Sequence, residues 1–280
     1  MSGERRICRV FPRRTSQTPT DSMAFVGYPS LIRPEADEVH VSVVFTWDIP
    51  EAEKMADAWR AYYPVLRIGG PAYGQRSGDF VPGRYVRPGV TFSSHGCPNR
   101  CDFCMVRDPW RALPIQPGNL LQDDNFLAGP WSHLEAVIQM LKTQKLGRVE
   151  FTGGLEAGRI TPRVVELLRS LTFRQLFTAY DKPEDAPAVQ AALERLTRAG
   201  CYRRQLRCYV LIGRDGDTVD AARGRLENVW KWGGVPCAMY FVGANGQPCT
   251  DPQWRELRRE WIRPAAMFAS HKSVKERSRG

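Results

Sequence analysis

Residues 206–232 read LRCYVLIGRDGDTVDAARGRLENVWKW. Leu206–Ile212 is a strand-forming run, Gly213 and Gly216 break it, and Asp217 and Thr218 are good N-caps for a helix over 218–232. The same cadence of strand, loop and helix continues on both sides. Strands are expected at 90–93, 148–152, 175–180 and 238–242. Helices are expected near 131–144, 162–171, 185–199 and 252–262, with Thr161-Pro162 opening the second. Alternation of this kind predicts an α/β fold with a parallel sheet and helices outside it. Upstream, VHVSVVFTW (39–47), EAEKMADAWRAY (51–62) and a short strand at 65–68 form one β-α-β unit, followed by a glycine- and proline-rich connector. Residues 1–37 are rich in Arg, Thr, Ser and Pro, show no period, and read as an irregular basic lead-in.

The 280 residues are 42% hydrophobic and 25% charged, an ordinary globular composition that excludes global disorder and collagen-like repeats. No run of about 18 apolar residues is present, so no membrane partner is expected. The N-terminus lacks the apolar stretch of a secretory signal, and the expected location is the cytoplasm. The eight cysteines fit that placement, because in a reducing compartment closely spaced thiols more often bind metal than form disulfides. The net charge of +10 is concentrated at the ends: five arginines against Glu4 in residues 1–14, and Lys272, Lys275, Arg277 and Arg279 against Glu276 in residues 271–280. Basic tails suit a nucleic-acid partner and equally suit a solvated end.

Three cysteines sit together in Ser94-His95-Gly96-Cys97-Pro98-Asn99-Arg100-Cys101-Asp102-Phe103-Cys104, in the long segment between the strand at 90–93 and the helix at 131. Three thiolates on one loop can hold three irons of a [4Fe-4S] cubane and leave the fourth open. A zinc site is the other reading, with His95 as fourth ligand. Cys201, Cys208, Cys237 and Cys249 match no second cluster motif, and Cys208 lies in a strand as a small core residue. Trp110, Trp131 and Asp123-Asp124-Asn125-Phe126-Leu127 follow the cysteine loop and are candidates to roof a site there.

Cys97-x3-Cys101-x2-Cys104, with Phe103 before the last cysteine, resembles the cluster motif of the radical S-adenosylmethionine (radical SAM) superfamily, and it follows the first strand of a β/α repeat as in that family. The resemblance covers residues 90–245. It implies a partial (β/α)6 TIM-like barrel with a small N-terminal β-α-β appendage. The domains are then 1–37 lead-in, 38–89 β-α-β unit and connector, 90–245 radical SAM core, and 246–280 C-terminal helix and basic tail. It further implies that Cys97, Cys101 and Cys104 ligate a [4Fe-4S] cluster whose open iron chelates S-adenosyl-L-methionine. One electron then cleaves SAM to methionine and a 5′-deoxyadenosyl radical, which abstracts hydrogen from a substrate. Phe151-Thr152-Gly153-Gly154-Leu155-Glu156 is similar to the family's Gly-Gly-Glu segment, which holds the methionine amino group, although Leu155 separates the glycines from the acid. Phe103, Gly153, Gly154 and Glu156 are accordingly the cofactor-binding candidates.

Ile212-Gly213-Arg214-Asp215-Gly216-Asp217-Thr218 resembles a turn found in the methylthiotransferase-like and cobalamin-dependent branch. The N-terminal unit resembles a fragment of the cobalamin domain of that branch, but only about 50 of its residues are organised and the Asp-x-His-x-x-Gly motif is absent at His40, so no cobalamin is expected. Tyr180, Asp181 and Tyr240, at strand ends, are the candidate catalytic residues. An external electron donor such as flavodoxin or ferredoxin is implied. The substrate reads as a nucleic-acid base or modified nucleoside, or else as a peptide or small metabolite. A non-enzymatic iron–sulfur electron carrier or DNA-binding regulator is the rival class.

Overall fold

A computed structural model describes residues 5–74, 80–242, 251–265 and 267–269. The basic residues at 271–280 and Cys249 lie outside the described residues. The chain divides into two compact units near Thr91.

The first unit corrects the expectation of an irregular lead-in. Strands β1 (Ile7–Phe11) and β2 (Ala24–Val26) form within it, and β3 (Glu38–Ser42) and β4 (Leu66–Gly69) complete a parallel sheet in the order β2-β1-β3-β4. Between β3 and β4 runs α1 (Ile49–Arg60), with proline in its first turn. Its apolar spacing places Ala52, Met55, Ala56 and Trp59 against Cys8, Val10, Val39 and Val41. Trp59 is fully buried and donates its indole N–H to the Gly27 carbonyl at 3.0 Å.

The N-terminal arginines are not a free basic tail. Arg5 pairs with Glu38, Arg6 with Glu35, Arg9 with Asp21 and Arg13 with the buried Asp48. The expected strand at 39–47 stops at Ser42 because Thr46–Asp48 turns into a 3₁₀ helix ahead of α1. The unit is therefore larger than the β-α-β fragment expected, and its size no longer argues against cobalamin. The missing motif still does: His40 faces the Tyr85 hydroxyl at 2.5 Å and Glu38 at 3.1 Å.

The second sheet has six strands. They are β5 (Val90–Thr91), β8 (Leu120–Leu121), β9 (Val149–Phe151), β10 (Phe173–Ala179), β11 (Leu206–Ile212) and β12 (Val235–Tyr240), adjacent in sequence order. A separate antiparallel pair, β6 (Ser94–His95) and β7 (Arg111–Ala112), closes the cysteine loop. Helices α2 (Trp131–Thr143), α3 (Pro162–Arg169), α4 (Ala186–Arg198), α5 (Val219–Lys231) and α6 (Pro252–Ile262) follow the expected positions. α6 packs on β12 and α5 and belongs to this unit rather than to a separate C-terminal segment.

Helix-side positions Leu206, Cys208, Val210 and Ile212 are fully buried, while Arg207, Tyr209 and Leu211 alternate onto the other face at intermediate burial. The β11–α5 turn is fixed by Thr218, which accepts from the Ala221 N–H, and by the buried Arg225, which donates to Asp217 at 2.7 and 3.1 Å and to the Leu211 carbonyl at 2.9 Å. Among the described residues no helix is long and apolar enough to cross a membrane.

Candidate functional site

The carboxyl ends of five strands of the six-stranded sheet supply the residues around the cysteine loop. The first anchor is Asp123, which follows β8 and is almost completely buried. It accepts from the Ser93 N–H at 2.6 Å, the Ser93 hydroxyl at 2.5 Å and the Ser94 hydroxyl at 2.7 Å. Burial pushes its carboxyl up from the ordinary range, against those three donors. Asp124 accepts from the Gly96 N–H at 2.7 Å. Gly96 has φ +84°, and a Cβ there would stand 2.1 Å from the Pro109 carbonyl, so only glycine lets the two arms of the loop close.

Beyond this neck the loop is held internally. The Cys97 N–H donates to the Asp108 carbonyl at 3.0 Å, and the Cys104 N–H to the Cys101 carbonyl at 3.1 Å. The Val106 N–H points at the Cys104 sulfur, 3.4 Å away. Burial raises the Cys101 thiol first, and the neighbouring Cys104 and Cys97 raise it further, with Lys182 opposing them.

Asn125, buried beside Asp123, joins the loop to β9. Its Nδ2 lies 3.3 Å from the Cys97 sulfur and 2.7 Å from Glu156 Oε2. Arg159 donates to the same carboxylate oxygen at 2.8 Å. Leu155, the residue between the glycines and the acid, is buried in the core, and its N–H donates to the Phe177 carbonyl at 2.6 Å. Leu155 is thus a core anchor, and the acid beside it reaches Asn125. The glycines divide their work. A Cβ on Gly153 would stand 2.1 Å from the Asp123 carbonyl, so this glycine serves backbone packing. Gly154 has φ +95° and faces open space.

The tip of the loop is tied to two further strand ends. Asp102 meets Lys182, after β10, at 3.2 Å and Arg214, after β11, at 3.0 Å. The Lys182 hydrogen bond holds the Asp102 carboxyl below its usual range, and the Arg214 charge adds to this against the cost of desolvation. The same two cations flank the Phe103 ring at 5.6 and 5.7 Å. Sequence reading did not single out Asp102, Lys182, Arg214 or Arg159. Lys182 and Arg214 lie within three residues of the ends of β10 and β11, and that placement was the available signal.

The other candidates are distributed differently. Asp181 is half-buried and accepts from the Leu211 N–H at 3.1 Å. Its carboxyl is raised to about 6, chiefly by burial, with the Leu211 N–H opposing and Asp185 adding to the rise. Tyr180 is buried against Trp232, with ring centroids 5.7 Å apart, and bonds Asn228 of α5, so it belongs to the helix-side core. Tyr240 carries Arg258 of α6 over its ring at 4.9 Å. Tyr180 thus meets α5 and its C-terminal end, and Tyr240 meets α6. The expected roof is also different: Phe126 and Leu127 are buried core, and Trp110 packs edge-on to His133 at 5.2 Å.

Among the described residues no three His, Cys, Asp or Glu side chains converge on one ion-sized point, which tetrahedral zinc requires. A cubane takes one thiolate per iron and so accepts three spaced thiols, and N–H donors to sulfur, such as those of Val106 and Asn125, tune such clusters. His95 Nδ1 faces Asp124 at 3.9 Å. Cys208 and Cys237 are buried, and burial pushes the Cys208 thiol up to about 12. In comparisons with known proteins, no family model matches the chain and no curated protein matches it.

Proposed function

We propose that this chain is a radical SAM enzyme whose six-stranded sheet is the wall of a partial (β/α)6 barrel. The observation that carries the reading is the Asn125 amide, which bridges Cys97 and Glu156. It sets the cysteine loop and the Gly-Gly segment side by side at strand ends that are far apart in sequence. The sequential strand order supports the barrel, because right-handed crossovers then put every helix on one face of the sheet.

Cys97, Cys101 and Cys104 would each hold one iron of a [4Fe-4S] cluster, and Glu156, with the backbone at Gly154, would receive the amino group of SAM. When bound, the reduced cluster supplies the electron for cleavage of SAM, drawn from a donor such as flavodoxin or ferredoxin. Asp123 and Asp124 hold the neck of the loop, and the Asp102 clamp holds its tip, so the three thiols are presented from a fixed frame. Asn125 orients Glu156 toward the loop and shields the Cys97 sulfur with an N–H.

Four of the five N-terminal arginines are engaged in ion pairs within the first unit, which weakens the charge argument for a nucleic-acid substrate. Modified nucleosides, peptides and small metabolites remain the substrate classes to screen. The deciding experiment is anaerobic reconstitution followed by absorption and Mössbauer spectra with and without SAM. A cluster signal perturbed by SAM supports the enzyme, and a cluster indifferent to SAM overturns it.

A further inference from the structure

A cavity of about 600 Å³ opens at the amino ends of β10, β11 and β12, the opposite end of the strands from the cysteine loop. That size lies in the range of small-molecule sites. Gln175, Arg204, Arg207, Val235, Pro264 and Phe268 line it. The register explains why Arg207 is there: it pairs with Phe177 on one side and Val235 on the other, on the face away from the helix-side row of Leu206, Cys208 and Val210.

The two arginines are the unusual feature. Among the described lining residues there is no acid. Glu150, across the ladder from Gln175, lies 3.4 Å from Arg174. The neighbouring Arg203 is committed to the carbonyls of Trp230 and Gly234. Arg207 Nε is buried with no hydrogen-bond partner. An Nε–H held out of water without an acceptor is costly even on a half-buried side chain, and an anion in the cavity would relieve that cost. Arg204, which is exposed, lies over the Phe268 ring at 4.9 Å, so its guanidinium is held beside an aromatic wall.

We infer that this cavity binds a phosphate monoester carrying an apolar or aromatic body. Two guanidinium groups with no carboxylate among them match a charge near −2, which a phosphate monoester carries at neutral pH and a carboxylate does not. Planar guanidinium forks also suit phosphate oxygens in paired hydrogen bonds. Val235, Pro264 and Phe268 provide the apolar wall for the rest of the molecule. The site is separate from the cysteine loop, and the inference goes beyond the radical SAM reading.

Phenyl phosphate is the probe, because it has the ring and the dianion but no nucleoside that a SAM site would recognise. Calorimetric titration of the full chain should give saturable binding, weakened at least about tenfold in Arg204→Glu and in Arg207→Gln, where about 1.4 kcal/mol corresponds to one decade. Arg204→Glu, at an exposed position, keeps the test valid if Arg207→Gln fails to fold. Benzoate should bind more weakly than phenyl phosphate. Failure of the wild type to bind at millimolar probe, equal binding by Arg204→Glu, or tighter binding of benzoate would each overturn the assignment.

Discussion

Asn125 donates its side-chain amide to the sulfur of Cys97 at 3.3 Å, across 28 residues of sequence. The amide is buried, so the contact is made away from water, where an N–H to sulfur is electrostatically stronger. The same nitrogen carries both N–H groups of the amide, one for the sulfur and one for the Glu156 carboxylate. Any change at Asn125 is therefore felt at both.

Asn125→Leu keeps the branched shape of the side chain and removes the N–H. Hydrogen bonds to cluster sulfurs favour the more negative, reduced state. The reconstituted variant should hold its iron and show a reduction potential shifted to more negative values, on the order of tens of millivolts. A potentiometric titration followed by EPR reads this directly. An unchanged potential would mean that the Cys97 sulfur is not a cluster ligand or that the amide turns away from it.

Replacing Cys97, Cys101 and Cys104 together with Ala should remove the about four irons per chain expected of a cubane. Replacing Cys201, Cys208 and Cys237 should leave iron content unchanged, because Cys208 and Cys237 are buried core thiols and Cys201 is half-buried at the end of α4. Iron analysis after anaerobic reconstitution separates the two sets. Full iron in the first triple variant contradicts the assignment.

The second unit was largely legible because its signals are long and redundant. Leu206–Ile212 and Pro252–Ile262 form over the expected residues, and Thr161 and Thr218 cap the helices they were expected to cap. β8 was not legible: two residues, Leu120 and Leu121, carry no period. Counting it makes β9 the third strand of the sheet, so Gly153 answers to β8 rather than to a ligand. β1 was hidden for another reason. It lies between β2 and β3, yet its middle residue is Arg9, buried only because Asp21 and the carbonyls of Gly83 and Arg84 satisfy it. Those partners are distant in sequence, so ICRVF between arginines looked like a basic tail. Side-chain bridges such as Asn125 to Glu156 are tertiary contacts with no local signature at all.

Because β1 is an inner strand, deleting residues 1–14 should unfold the first unit rather than trim a tail. The deletion removes Cys8 and Val10 from the core around Trp59. Hydrogen exchange over β3, α1 and β4 should lose its protection, and the tryptophan fluorescence should shift to the red. Native protection in the truncated protein would show the lead-in to be dispensable.

Asp181 makes the folded state less stable as pH rises. Its carboxyl is raised from 3.8 to about 6, so between those values the folded state holds the proton that the unfolded state has lost. Its contribution is present in full below the unfolded value and is lost as pH rises through the folded one. At 1.36 kcal/mol per unit, the loss approaches about 3 kcal/mol by neutral pH. Asp181→Asn removes the titration. Denaturant melts should show the wild type losing stability relative to this variant as pH rises from about 4 to about 7. A constant difference across that window would mean that Asp181 ionises normally.

Glu156 should govern SAM affinity and leave cluster assembly alone. Its carboxylate is about 30% exposed, so it is held in place by Asn125 and Arg159 while still open to a ligand. Gly154 beside it faces open space, and the buried Leu155 fixes the backbone from which the acid projects. A charged hydrogen bond from the SAM ammonium contributes about 1.5–3 kcal/mol. Glu156→Gln should therefore weaken SAM binding by about one to two decades at 1.4 kcal/mol per decade, with iron content unchanged. Arg159→Gln provides the counter-test. It frees Glu156 from its ion pair without touching the acid, so SAM affinity should move far less than in Glu156→Gln. Equilibrium dialysis with reconstituted protein measures both variants. If Glu156→Gln binds SAM as the wild type does, the amino group is received by the backbone at Gly154, and the carboxylate serves only to hold Asn125 against Cys97.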